Sequence, residues 1–176
     1  FPAGNVDTYI IRNIADSATQ QMELEGGDLD FALDLTADQT ALLEGNESIK
    51  LVSFDTMDLF FLGLNASEEY GKELANPTVR EAIRYAIDYP GLCALAGNGA
   101  TTPAGIIPKG FLGYAGETTI TRDVEKAKAL LTEAGYPDGI TFSMGVIPDM
   151  APDGVSFMTL AQKVQADLAE AGITVN

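Results

Sequence analysis

Asp28, Asp30 and Asp34 form the densest set of chemistry-bearing side chains in the sequence, spaced by two and then four residues in GGDLDFALDL. On a β-strand that spacing puts all three on one face, because successive side chains alternate. Three carboxylates there would form a cluster. They also suit a solvated strand edge or strand end, which needs no ligand. A calcium loop is disfavoured, since the Asp-x-Asp run lacks the later Gly and Glu of that loop. The sequence has no histidine and one cysteine, Cys93. Ser-His and Cys-His catalytic pairs are therefore excluded, as is an ordinary zinc site. Any general base would be a carboxylate, lysine or tyrosine. GNGATTPAG at 97–105 is Gly-rich but lacks the following Lys-Ser/Thr of a phosphate loop. No enzyme, metal or cofactor is expected.

Phe60 and Phe61 are the other pair of interest. Neighbouring aromatics on a strand face opposite ways, so one can pack inward while the other faces a cleft. Core packing of both is the favoured reading, and a ligand-facing aromatic is the alternative. The triplets Asn46-Glu47-Ser48 and Asn65-Ala66-Ser67 match the glycosylation pattern, which arises often by chance.

The elements that must position these residues follow from length and pattern. The chain has 176 residues, 46% of them hydrophobic, enough for one or two small packed units. Its net charge is −16, from 26 acidic and 10 basic residues. Nucleic-acid backbone and anionic membrane surfaces require the opposite sign. Solubility accounts for the acidity, and attraction of a cationic ligand is the alternative. No apolar run approaches the roughly 20 residues that span a bilayer. The opening FPAGNVDTYII does not read as a signal peptide. Cys93, within LCALAG, reads as a small core residue.

The first 65 residues read as alternating strand and helix. The stretches at 6–14, 29–35, 49–54 and 58–65 are apolar and β-branched, hence strands. Ser17 with Gln20 and Thr36 with Gln39 fit capping boxes opening two short helices, closed by Gly26-Gly27 and Gly45. After a polar loop at 66–76, a helix is predicted from Pro77 to Asp88. Val79, Ala82, Ile83, Ala86 and Ile87 supply its buried face, and Pro90 stops it. A shorter helix follows at 91–96, then a long irregular loop at 97–120. Such loops tend to be functional or to drape over a neighbour. Further helices are predicted at 122–134, capped by Thr121, and at 153–171, with strands at 140–147 and 173–175. Both ends read as cut, since the first strand starts without a partner and the last has only Asn176 after it.

GDLDFAL (27–33), DLFFLGLN (58–65), NPTVREAIRYAID (76–88), TRDVEKAKALLTEAGYPDGITF (121–142) and LAQKVQADLAEAGITVN (160–176) together resemble the family 5 extracellular solute-binding proteins, in the family's order and spacing. EKAKALLTEAGYPDG and VREAIRYAID are the specific segments. Two positions depart from the family pattern. Asp88 is followed by Tyr89-Pro90 instead of a basic residue, and Thr78 stands where Arg is frequent.

The resemblance implies an α/β, periplasmic-binding-protein-like (type II) fold, with mixed sheets, flanking helices and parts of two lobes. Residues 1–57 would belong to the first lobe, 58–65 would be the crossover strand, and 66–176 would start the second lobe. It implies the solute-binding component of an ABC importer, working in the periplasm or outside the cell, with membrane anchoring an option for the full-length protein. Its partners would be peptides or similar small solutes and the transporter's permease subunits. Expected ligand-binding residues are Asp34, Leu35 and Thr36 at the end of the second strand and Phe60, Phe61 and Asn65 at the crossover, with Asp34 suited to an amino group. Backbone groups of the 100–114 loop are a further expectation. A fragment of this kind is expected to expose strand edges through which it would homodimerise. The alternative function is a receptor-partnered sensory or structural domain reusing the fold.

Overall fold

The computed structural model describes residues 4–176 apart from Asp55, Asn98, Thr119 and Asp149, and omits the side chain of Asp153. Asn98 and Thr119, which the sequence puts in the long loop, thus lie outside the described residues.

Six α-helices, two short 3₁₀ turns and one small sheet make up the regular structure of the described residues. Helix α1 (Ser17–Gly26) begins at its predicted cap, Ser17, so the cap lies one residue earlier. Asp16 takes the N-cap, its carboxylate accepting from the amide of Thr19 at 2.7 Å. The predicted partner Gln20 instead donates to the carbonyl of Ile14 at 2.8 Å. Helix α2 (Ala37–Leu43) keeps the predicted capping box of Thr36 and Gln39. Helix α3 (Pro77–Ala86) is capped by Asn76 and buries Val79, Ala82, Ile83 and Ala86, the face read from the 3.6-residue period.

Pro90 does not end α3, which stops at Ala86, four residues earlier. It opens α4 (Tyr89–Ala96), where its missing N–H costs nothing, and Asp88 caps that helix by accepting from the amide of Gly91 at 3.1 Å. Helix α5 (Val124–Glu133) is capped by Asp123, not Thr121, through the amide of Lys126 at 2.8 Å. Helix α6 (Phe157–Glu170) starts later than the predicted residue 153 because Pro152–Gly154 forms a separate 3₁₀ turn and Ser156 supplies the cap.

Strand β1 (Ile140–Phe142) pairs in parallel with β2 (Ile173–Val175), in the register Ile140 to Ile173 and Phe142 to Val175. Helix α6 is the crossover between them, the connection a parallel pair requires. Gly139 is obligatory here. A side chain on it would run into the carbonyl of Gly172, whose carbon would lie 3.0 Å from the new Cβ.

The predicted strands at 6–14, 29–35, 49–54 and 58–65 are absent, and the one at 140–147 is reduced to three residues. Apolar, β-branched composition reports that a segment suits a half-buried pleated surface. It does not supply the neighbouring backbone that a ladder needs. Among the described residues no partner strand flanks these segments, so the mixed sheets expected from sequence reduce to one parallel pair.

The main core joins α3, α5, α6, β1 and β2 through Val79, Ile83, Leu131, Leu168 and Ile173, with Leu64 and Leu74 packed at its margin. No described residue of 4–57 joins this cluster. Tyr9, Ile10, Ile11, Phe31 and Phe54 are instead exposed, Ile11 at 95%.

Candidate functional site

The segment 58–65 joins the two parts of the chain, and its aromatics do face opposite ways. Phe60 is half-buried and meets Phe157, the first residue of α6, edge to face, with ring centroids 5.6 Å apart and planes at 83°. Phe61 is 80% exposed. With Asn65 it lines a cavity of about 230 Å³, whose other walls are Leu62–Leu64, Leu74 and Phe142–Gly145. Leu64, Leu74, Phe142 and Met144 belong to the rim of the main core, so the cavity's inner surface is anchored there. No backbone hydrogen bond joins 61–65 to 142–145 among the described residues, so a gap and not a ladder separates the two segments. The cavity is smaller than the roughly 300 Å³ at which pockets for drug-sized ligands begin. It has room for a side chain or a small headgroup.

Asp34, Leu35 and Thr36 lie elsewhere. None of them lines this cavity. Asp34 is exposed and sits in the left-handed region at φ 59°, one of the few backbone states a non-glycine residue adopts only locally. Thr36 is committed to its cap. Its amide donates to the side-chain oxygen of Gln39 at 3.1 Å, and its hydroxyl is bonded to the same oxygen. The main chain of Leu35 and Thr36 lies against Gly154 of the 3₁₀ turn: a Cβ on Gly154 would meet the Leu35 carbonyl, lying 2.8 Å from its carbon and 3.1 Å from Thr36 Cα. Of the six sequence-predicted residues, Leu35 and Thr36 thus lie against Gly154, Phe61 and Asn65 line the cavity, Phe60 packs on Phe157 and Asp34 is exposed.

Asp28 and Asp30 share no strand face with Asp34, because 29–35 is not a strand. Among the described residues no group of three acidic or cysteine side chains is arranged to hold a metal ion. The 100–114 loop folds back on itself: Pro103 and Glu117 form an isolated antiparallel bridge, and the amide of Ala104 donates to Gly116 at 2.8 Å. Both Asn-x-Ser triplets form short turns in which the Asn side chain accepts from the Ser amide at 3.0 Å, for Asn46 to Ser48 and for Asn65 to Ser67. That local bond explains the residue types without reference to glycosylation.

The charged cluster that sequence reasoning missed lies where α6 meets the α3–α4 corner. Asp167 on α6 is 3% exposed. Lys163, one turn earlier, donates to Asp167 at 2.5 Å and to Asp88 at 3.0 Å. Asp167 also accepts from the amide of Asp88 at 3.1 Å. Arg122 donates to the carbonyl of Ala86 at 2.9 Å and pairs with Glu170 at 3.0 Å, and its guanidinium reaches Asp167 at 3.6 Å. The hydrogen bond from Lys163, backed by the Gly91 amide, holds the Asp88 carboxyl below the usual carboxylate range. Burial works against the charge on Lys163, but its bonds to Asp167 and Asp88 prevail and raise it above the ordinary ammonium value. The one signal in the sequence was the i,i+4 spacing of Lys163 and Asp167 on a helical stretch. The cluster ties the α3–α4 corner to α6 and thereby fixes the helix that carries Phe157.

The model of the family described as bacterial extracellular solute-binding proteins, family 5 Middle, matches residues 2–176. The chain belongs to this family. Family 5 relatives include the glutathione-binding protein GsiB of Escherichia coli O1:K1 / APEC, 32% identical over 169 residues, which are 96% of this chain and 32% of that protein. Among solved structures, the periplasmic binding protein DppA of Helicobacter pylori, in complex with the peptide STSA, superposes with a TM-score of 0.68 at 25% identity, over 94% of this chain and 31% of that one. AgaA of A. tumefaciens R10, in complex with agropinic acid, gives 0.65 at 27% identity, over 93% and 32%. The fold is accordingly part of the type II periplasmic-binding-protein class expected from the sequence. The chain spans about a third of the length of the relatives it matches. Family 5 proteins are extracellular by description, and no helix among the described residues is long and apolar enough to cross a membrane.

Proposed function

We propose that this chain is part of the solute-binding component of an ABC importer, which takes a peptide or similar small solute in the periplasm or outside the cell and hands it to the permease. The observation that carries this is the placement of Phe61 and Asn65 at a small cavity on the segment joining a well-packed part to a loosely packed one. Ligand sites favour such junctions. The names of the relatives support a peptide-class solute, since GsiB is named for glutathione and the DppA structure holds a peptide. Residues 1–57 belong in this reading to the first lobe, 58–65 to the crossover and 66–176 to the second lobe. Asp34, Leu35 and Thr36 meet the solute from the first lobe, and Phe60, Phe61 and Asn65 meet it from the crossover. The component binds and releases without turnover.

Calorimetry on a protein of the relatives' length that carries this chain, titrated with glutathione and with di- to tetrapeptides, tests the reading. Saturable binding to at least one of them is expected. No binding to any, with the fold intact, overturns it. The 176-residue chain alone is expected to bind at most weakly, because a cleft needs both walls. It is also expected to self-associate through the exposed apolar segments at 9–11 and 31–33, and light scattering checks this.

A further inference from the structure

The regular elements of the two parts pack mainly among themselves. The main core lies wholly within 64–175, and neither α1 nor α2 packs extensively on α3–α6. No backbone hydrogen bond joins residues 4–57 to 66–176 among the described residues. Against that background one approach is unusually close. The main chain of Leu35 and Thr36 rests on Gly154, at a spacing that leaves no room for a single methyl group. The next residue, Ala37, lies against a second glycine, Gly97 at the end of α4, whose added Cβ would sit 3.5 Å from the Ala37 side chain. Two loops of the second part thus receive three consecutive residues at the start of α2. Both glycines have positive φ, 74° and 102°.

From this we infer that Gly154, assisted by Gly97, is a seat for Leu35–Ala37, and that it holds residues 4–57 against 66–176 in a closed, breakable arrangement. The seat makes backbone contact with no side chain between, so its fit is steric and one added carbon opens it. No backbone hydrogen bond reinforces it among the described residues, so nothing but the steric fit holds the seat. A ligand that binds one of the two states better shifts the balance between them. The inference rests on the two-lobe reading above and adds regulation to the same site. Leu35 and Thr36 are proposed to meet solute, yet their main chain is covered while seated, so a solute reaching them must first lift them off Gly154.

The test measures the separation of the two parts with no solute present, so the outcome is independent of whether any solute binds. Spin labels are placed on Leu42→Cys in α2 and Glu133→Cys in α5, in a Cys93→Ser background, and their distance distribution is recorded. Gly154→Ala is compared with Gly116→Ala. Both glycines have positive φ, but nothing lies within 4 Å of a Cβ on Gly116, so the control carries the backbone strain without the collision. A narrow distribution is expected for the parent and for Gly116→Ala. Gly154→Ala is expected to lengthen the mean and widen the distribution about twofold, as unseated molecules join seated ones. If Gly154→Ala does not fold by circular dichroism, Ala37→Leu, which crowds Gly97, carries the test with the same expectation. An unchanged distribution in the folded variant, an equal change in Gly116→Ala, or a parent already as broad as the variant each overturns the inference.

Discussion

Phe60 meets Phe157 edge to face at 5.6 Å, and this contact ties the connecting segment to the first turn of α6. The neighbouring Phe61 makes no such contact and is 80% exposed. The two adjacent phenylalanines should therefore separate cleanly in stability measurements. Phe60→Ala loses an aromatic pair worth about 1 kcal/mol beyond area burial, together with the burial itself. Phe61→Ala should stay within about 0.5 kcal/mol of the parent, as exposed substitutions do. Urea unfolding of the two variants checks this, and equal losses would contradict the assignment of inner and outer rings.

Phe61 should matter for ligand where Phe60 matters for structure. In a protein of the relatives' length carrying this chain, Phe61→Ala is expected to weaken solute binding about tenfold, or about 1.4 kcal/mol. Asp34→Ala should act in the same direction if the solute presents an amino group. Calorimetry measures both. Unchanged affinity in each would remove these residues from the site.

Much of the second part was legible in the sequence. The face of α3 at Val79, Ala82, Ile83 and Ala86 is buried as the 3.6-residue period requires, because a helix closes its own hydrogen bonds and needs only one apolar surface to pack. The strands expected at 6–14, 29–35, 49–54 and 58–65 do not form. Their residues carry strand propensity, but pairing is non-local and no local pattern contains the partner. Caps were readable to within two residues: Thr36 with Gln39 as expected, Asp16 and Asp123 one residue before and two after the residues expected. For the site, alternation allowed one of Phe60 and Phe61 to face outward, but core packing of both was favoured, and the exposure of Phe61 overturns that. The seat at Gly154 was not legible, since a close approach between residues more than a hundred positions apart leaves no mark on either segment.

Lys163 holds Asp167, a carboxylate almost fully removed from water, so removing the ammonium should cost more than a surface ion pair would. Lys163→Met keeps the aliphatic stem and leaves Asp167 with the Asp88 amide at 3.1 Å and the 3.6 Å contact to Arg122, and no cation in hydrogen-bond contact. The expected loss is about 3 kcal/mol, the lower end for stranding a buried charge. Denaturant melts measure it. A loss below about 1 kcal/mol, the size typical of exposed pairs, would show that the cluster is solvated.

The same cluster should bound stability in pH. The folded-state value of the Asp88 carboxyl is lowered from its ordinary 3.8, chiefly by the Lys163 hydrogen bond. Its contribution is therefore complete above 3.8 and is lost as pH falls through the lowered value. Lys163 is raised above its ordinary 10.5, with burial opposing and the bonds to Asp167 and Asp88 outweighing it. Its contribution is complete below 10.5 and is lost as pH rises through the raised value. Asp88→Asn removes the acid-side dependence but leaves an amide that still caps α4 through its oxygen. The variant should melt below the parent at neutral pH, and the gap should narrow as pH falls below 3.8. A melting-temperature series from pH 2.5 to 8 on both proteins (about the range over which carboxylates titrate and above) decides it. A gap that stays constant down to the lowest pH would mean that Asp88 acts through its shape and not its charge.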